Sequence, residues 1–188
     1  MGTAKRVSLF KVLRRELGPR LAAEGFVEVP QNAACRSYIL LYFREQSHGS
    51  SFGFWFQRNV KSLYIDALGS SFTVEFFRSL ENPFNGGGGR ERAYFLLTPD
   101  ELEEMRTLQN NVIKRLPTLE GILAPWTESF AASAEEQREL IKKPFNPRHD
   151  VWMRYRDEAD VLNWTPFIGR LLPTLGERFQ ASAAEEKS

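Results

Sequence analysis

The sequence predicts an α+β fold: an antiparallel meander sheet of about five strands, an N-terminal helix first, a helical C-terminal third, and helices packed on at least one sheet face. Three observations predict it. β-Rich stretches at 38–45, 52–58, 63–68 and 73–78 follow one another with short, turn-forming links. Ten of the 15 phenylalanines fall between Phe26 and Phe95, which places the core in the sheet. The segments before and after carry apolar residues at helical spacing.

In chain order, residues 8–24 form an amphipathic helix on Phe10, Leu13, Leu17 and Leu21. Gly18-Pro19 should kink or break it, and Gly25 should stop it. Phe26 to Val29 is a short strand running into Pro30. The meander links are Ser-His-Gly-Ser (47–50), Asn-Val-Lys-Ser (59–62) and a Ser70-Ser71 turn, short enough to be hairpins. Asn82 to Arg92 holds Pro83 and the run Gly86 to Gly89, a surface loop. With Arg90 and Arg92 it invites a phosphate-cradle reading, but a Walker loop needs Gly-Lys-Ser/Thr running into a helix, and this one leads to a fifth strand at 94–97. Thr98, Pro99 and Glu101 then carry the capping-box pattern of a helix start, with Lys114 and Arg115 at its basic end and Pro117 to stop it. Ser133 and Glu136 make a second capping box. Residues 150–164 fit a strand through Val151, Met153 and Tyr155, or a helix face through Val151, Tyr155, Ala159 and Leu162. Thr165-Pro166 should open a last helix with Ile168, Leu171, Leu172, Leu175 and Phe179 inward. The expected organisation is one α+β domain over 1–188, with sheet core about 26–97, helical part about 98–180 and a tail at 181–188.

Composition narrows the class. With 42% hydrophobic and 26% charged residues the chain is an ordinary globular one, which excludes wholesale disorder, a collagen-like repeat and a coiled-coil rod. No apolar run approaches the ~18 residues of a membrane span. The lone Cys35 makes no internal disulfide, which leads us to expect a reducing, cytoplasmic setting. A net charge of +1 supplies no bulk attraction to nucleic acid or anionic lipid. The basic start (Lys5, Arg6, Lys11, Arg14, Arg15, Arg20) reads as the solvated side of a helix. His48, His149 and Cys35 match no zinc spacing, so no metal and no cofactor are expected.

Turn lengths propose strand registers. The Ser70-Ser71 turn sets Asp66 opposite Glu75, the 59–62 loop sets Trp55 opposite Asp66, and the 47–50 loop sets Phe43 opposite Phe54 and Tyr42 opposite Trp55. Side chains alternate along a strand, so one face becomes apolar: Ile39, Leu41, Phe43, Phe54, Phe56, Ile65, Ala67, Val74 and Phe76. The other collects Leu40 and Phe77 with Tyr42, Arg44, Trp55, Gln57, Tyr64, Asp66 and Glu75. The last seven are the candidate binding residues, because aromatics with a polar tip and arginine are enriched where proteins grip partners. The plainer alternative is that C-terminal helices cover this face.

The leading functional expectation is a non-catalytic intracellular binding or interaction protein, such as a regulator, adaptor or toxin-neutralising protein. Its partner would be a protein or small-molecule ligand, most simply a basic or hydroxyl-bearing one. The alternative is a small hydrolase using Asp66 and Glu75: directly opposed carboxylates repel, and burial would split their ionisation into acid and base roles. The same pair could instead be exposed, or bridged by Arg44. A third reading is a single-stranded nucleic-acid binder, since Phe52-Gly53-Phe54-Trp55-Phe56 superficially resembles the aromatic core of the RNP1 motif of RNA-recognition domains. Ser50 and Ser51 stand where that motif has a basic residue and glycine, and Gln57 where it ends on an aromatic. The helix-then-meander order also differs, so nucleic acid is not the expected partner.

Overall fold

The structure, a computed structural model, describes residues 8–32, 35–45, 51–58, 70–78, 89–115 and 153–185. Helix α1 (Leu9–Ala23) turns Leu9, Phe10, Val12, Leu13, Leu17 and Leu21 inward. It continues through Gly18-Pro19 where a break was expected. Leu17 and Leu21 are buried on either side of Pro19, while Pro19 itself and Arg15, whose carbonyl loses its amide partner, are exposed. The packed face thus outweighs one missing bond on the wet face. Gly25, at φ 83°, closes the helix: its N–H donates to Ala22 O, and Phe26 N–H donates to Leu21 O at 2.9 Å. This is the Schellman pattern, which needs a left-handed residue at that point.

Six antiparallel strands follow among the described residues: β1 (Val27–Val29), β2 (Ile39–Glu45), β3 (Ser51–Arg58), β4 (Ser70–Phe77), β5 (Arg90–Arg92) and β6 (Met153–Tyr155). The order β1-β2-β3-β4-β5 is the expected meander, and β6 also pairs with β4. Phe72 lies between Arg58 and Met153, and Glu75 between Trp55 and Arg92. Strands β5 and β6 therefore share the outer edge of β4, one beyond the other.

The sheet corrects several expectations. Residues 63–68 lie outside the described ones, and β3 pairs directly with β4. Ser70 and Ser71, expected as a turn, are the first residues of β4. The fifth strand sits at 90–92, where Arg90 and Arg92 alternate toward Glu75. Residues 94–97 show no such alternation, and a 3-10 turn at Ala93–Leu96 leads from the strand into the next helix. The largest correction is at β2, where Tyr42 pairs with Phe54, Leu41 with Trp55 and Phe43 with Gly53. This is one residue away from the register that loop length proposed. A one-residue slip exchanges the faces, so Leu40, Tyr42 and Arg44 join Phe54 and Phe56, while Ile39, Leu41 and Phe43 join Trp55. Gly53 accounts for it. In the observed register it stands between Phe43 and Phe77, and a Cβ there would meet Tyr42 O at 2.4 Å and the Phe77 ring at 2.5 Å. The missing side chain is the space that the Phe77 ring fills.

Helix α2 (Pro99–Ile113) begins with the expected capping box: Thr98 Oγ1 accepts from Glu101 N, and Glu101 Oε2 accepts from Thr98 N at 2.7 Å. Within 150–164 the described residues, from 153 on, are strand and then helix, β6 followed by helix α3 (Glu158–Glu185), and Val151 lies outside them. Asp157 accepts from Asp160 N at 2.9 Å, and the fully buried Asp160 pairs with Arg115 just past α2. Thr165-Pro166 does not open α3 but lies within it. Pro166 withholds the amide that Leu162 O would accept, and Thr165 Oγ1 donates to that carbonyl instead, at 2.9 Å. The helix also runs on past 181 to Glu185, where a tail was expected. The second capping box and Gly86 to Gly88 lie outside the described residues.

Helices α1 and α3 pack against each other and on the sheet face that carries Leu40, Tyr42, Phe54, Phe56, Val74 and Phe76. Two glycines let α3 come close. A Cβ at Gly176 would lie 2.8 Å from the Phe52 ring, and one at Gly169 would lie 3.1 Å from Leu17.

Candidate binding face

The second sheet face, away from α1 and α3, carries two cross-strand rows. Leu41, Trp55, Glu75 and Arg92 form one, and Phe43, Gly53, Phe77 and Arg90 the other. Phe77 stacks on Trp55 at 5.1 Å and on Phe43 at 6.2 Å, across the space left by Gly53. The Arg90 guanidinium lies 5.3 Å from the centre of the Trp55 ring, within cation–π range. Glu75 is 3% exposed and both its oxygens meet guanidinium groups. Arg90 Nε donates to Oε1 at 2.6 Å, and Arg92 Nη1 lies 3.2 Å from Oε2. Arg92 Nη1 also donates to Gln57 Oε1 at 3.5 Å.

Of the seven candidate residues, then, Trp55, Gln57 and Glu75 come together. Tyr42 and Arg44 belong to the helix-covered face, through the register slip. Tyr42 stacks on Phe54 at 5.6 Å. Arg44 lies 4.7 Å from the Phe26 ring centre and donates to Glu24 O at 3.1 Å, closing the C-terminal end of α1. Tyr64 and Asp66 lie outside the described residues. The ladder places beside Glu75 that the hairpin reading gave to Asp66 are held by Trp55 and Arg92. A carboxylate between arginines replaces the opposed carboxylate pair. Nor do the described C-terminal helices cover this face, since α3 lies on the other one. Arg90 and Arg92 were the residues missed as partners of Glu75. Their spacing of two, which puts both on one strand face, was the available signal.

The aromatic part of the face is not open: Trp55 and Phe77 are 2% and 1% exposed. The guanidinium end is reachable, with the Arg90 and Arg92 side chains 32% and 20% exposed. Elsewhere, the basic side of α1 is engaged by acids, Arg14 with Glu28, Arg15 with Glu16 and Glu158, and Arg20 with Glu24. An apolar cavity of about 30 Å³ between β4, α2, β6 and α3 includes Val74, Met105, Met153 and Leu172 in its lining. It is far below the roughly 150 Å³ that holds benzene in an engineered core, and reads as a packing gap.

Two expected outcomes follow from this geometry. Glu75→Gln withdraws a buried charge from two guanidiniums and should lower stability by about 1.5–3 kcal/mol, the range for hydrogen bonds to charged groups. Opposed carboxylates would require the reverse, so a urea midpoint equal to or above wild type contradicts the pairing. Tyr42 supplies a pH signature. Burial first, and then the negative charge of Glu28, push its hydroxyl up to about 12. An unfolded tyrosine titrates near ~10, so the unfolded chain releases its proton first. The contribution is whole below pH ~10 and is lost as pH rises toward about 12. Tyr42→Phe should flatten that part of the stability–pH curve, and an unchanged alkaline slope would contradict it.

Among the described residues no helix is long and apolar enough to cross a membrane, and no group of three or more His, Cys, Asp or Glu is placed to hold a metal ion. Comparisons with protein-family models, curated proteins and solved structures find no match to this chain.

Proposed function

We propose that the chain is a non-catalytic, intracellular binding protein that holds a protein or small-molecule partner at the guanidinium end of its second sheet face. The observation that carries this reading is the engagement of Glu75. A general acid or base must bring an oxygen within hydrogen-bond reach of its substrate, whereas Glu75 Oε1 accepts from Arg90 and Oε2 lies 3.2 Å from Arg92 without a hydrogen bond, on a nearly inaccessible side chain. That favours a positioning role for the carboxylate over the hydrolase alternative with Asp66. Stacking of nucleic-acid bases would need exposed rings, and the buried Trp55 and Phe77 weigh against it. The free Cys35 suits the intracellular setting.

The test is turnover. Wild type and Glu75→Gln would be incubated with chromogenic carboxyl-ester, phosphate-ester, glycoside and peptide substrates. No Glu75-dependent turnover is expected. Hydrolysis shown by wild type and lost in a folded Glu75→Gln variant would overturn the reading.

A further inference from the structure

We propose that helix α2 is a detachable strap: it opens as a unit while the sheet, α1 and α3 stay folded, and so uncovers the apolar recess beneath it. Little apolar surface holds it down. Helix α1 buries six apolar side chains. Helix α2 has the same length, yet among its described side chains only Met105 and Val112 are buried apolar ones, with the polar Gln109 between them. Leu102 and Leu108 are half-buried. Gln109 turns to the backbone of β6, where its Oε1 accepts from Arg154 N at 3.0 Å. Met105 is the one residue of α2 that lines the cavity of about 30 Å³, so the helix lies over that gap without filling it. Elements with few buried apolar contacts open at lower free energy than core strands do.

What holds α2 is charge, concentrated at its two ends. At the first, Arg178 of α3 forks Glu101, with Nη1 donating to Oε2 at 2.6 Å and Nη2 to Oε1 at 3.0 Å. The same Nη1 donates to Leu96 O at 2.9 Å, so the turn leading into α2 is held with it. Glu101 Oε2 also closes the capping box on Thr98 N, and one carboxylate thus both starts the helix and ties it down. Arg178, acting against burial and helped by Thr98, holds the Glu101 carboxyl below the usual carboxylate range. At the other end Arg115 pairs with the buried Asp160, and Arg156 donates to Arg115 O. Between the two clamps, Glu104 and Arg170 form an exposed pair, which contributes little. Helix formation is cooperative, so a helix clasped at both ends and under-packed between them comes away as one piece.

Hydrogen exchange of the full chain at pH 7, read by mass spectrometry and corrected for intrinsic rates, tests this. Amides 103–113 should exchange at least about a hundred-fold faster than those of β3. Glu101→Gln and Arg115→Gln should each speed 103–113 further, by about five-fold or more, since both weaken the closed form relative to the open one. Arg178→Lys keeps the charge without the fork, should act in the same direction, and serves if a glutamine variant does not fold by circular dichroism. Phe54→Leu separates local from global opening. It weakens the core in the closed and open forms alike, so it should speed β3 and leave 103–113 unchanged. In a Cys35→Ser background, Leu172→Cys places a thiol in the cavity lining, and it should react with a thiol reagent as readily as 103–113 exchange. A helix that leaves only with global unfolding would instead exchange together with β3 and quicken under Phe54→Leu. That result overturns the proposal, as does exchange of 103–113 unmoved by neutralising either clamp, or a Leu172→Cys thiol that reacts only as slowly as β3 exchanges.

Discussion

Phe54→Ala should lower the unfolding free energy by about 3–5 kcal/mol, the range for truncating a buried phenylalanine. The side chain is fully buried at the centre of the helix-covered face. Its ring meets Phe26 at 5.2 Å, Tyr42 at 5.6 Å, Phe56 at 5.7 Å and Phe76 at 5.8 Å. Neighbours drawn from β2, β3, β4 and the end of α1 cannot all close on the space left behind, so the cavity cost should add to the lost burial. Urea denaturation followed by circular dichroism measures it. A midpoint equal to wild type would remove Phe54 from the core.

Gly53→Ala is the second large effect, and it separates the observed register from the alternative. A glycine in a strand is ordinarily a weakness, and alanine there would stabilise by about 0.4–1 kcal/mol through the unfolded chain. At Gly53 the added Cβ would lie 2.4 Å from Tyr42 O and 2.5 Å from the Phe77 ring. A backbone carbonyl cannot swing aside as a flexible side chain can, so the strand must shift or the ring must leave its place. Overpacking of this kind costs typically about 1–3 kcal/mol, occasionally more, and the upper end is expected here. The ring that would move is the one stacked on Trp55. Altered tryptophan fluorescence should therefore accompany the loss of stability. An alanine variant as stable as wild type would show that Gly53 does not face Phe77.

These residues also mark what was legible in the sequence. The apolar spacing of α1, the capping box of α2, the meander and the core position of Phe54 could all be read, because each depends on local pattern. The β2 register could not. Loop length was a poor guide, and the deciding feature, a glycine against two cross-strand aromatic rings, exists only once three strands are side by side. Pro19 and Pro166 misled for a related reason. Locally Gly18-Pro19 means a break and Thr165-Pro166 a helix start, but buried leucines beside Pro19 and the Thr165 hydroxyl beside Pro166 compensate for the missing amide. At the candidate site Trp55, Gln57 and Glu75 were found by alternation alone. Tyr42 and Arg44 were placed with them by the slipped register. Arg90 and Arg92 were read as part of a glycine-rich loop, although Arg-Glu-Arg already had the period that brings two cations to one face of a strand.

A double-mutant cycle between Glu75→Gln and Arg92→Gln, read by urea denaturation, tests most directly whether Glu75 serves the arginines. Residues joined in one ion-pair network couple by about 0.5–3 kcal/mol, whereas independent sites add within roughly 0.3–0.5 kcal/mol. The expected result is a double variant less destabilised than the sum of the two single ones by an amount in the coupled range. Strict additivity would mean that Glu75 and Arg92 do not hold each other, and would return the buried carboxylate to the list of candidate catalytic groups.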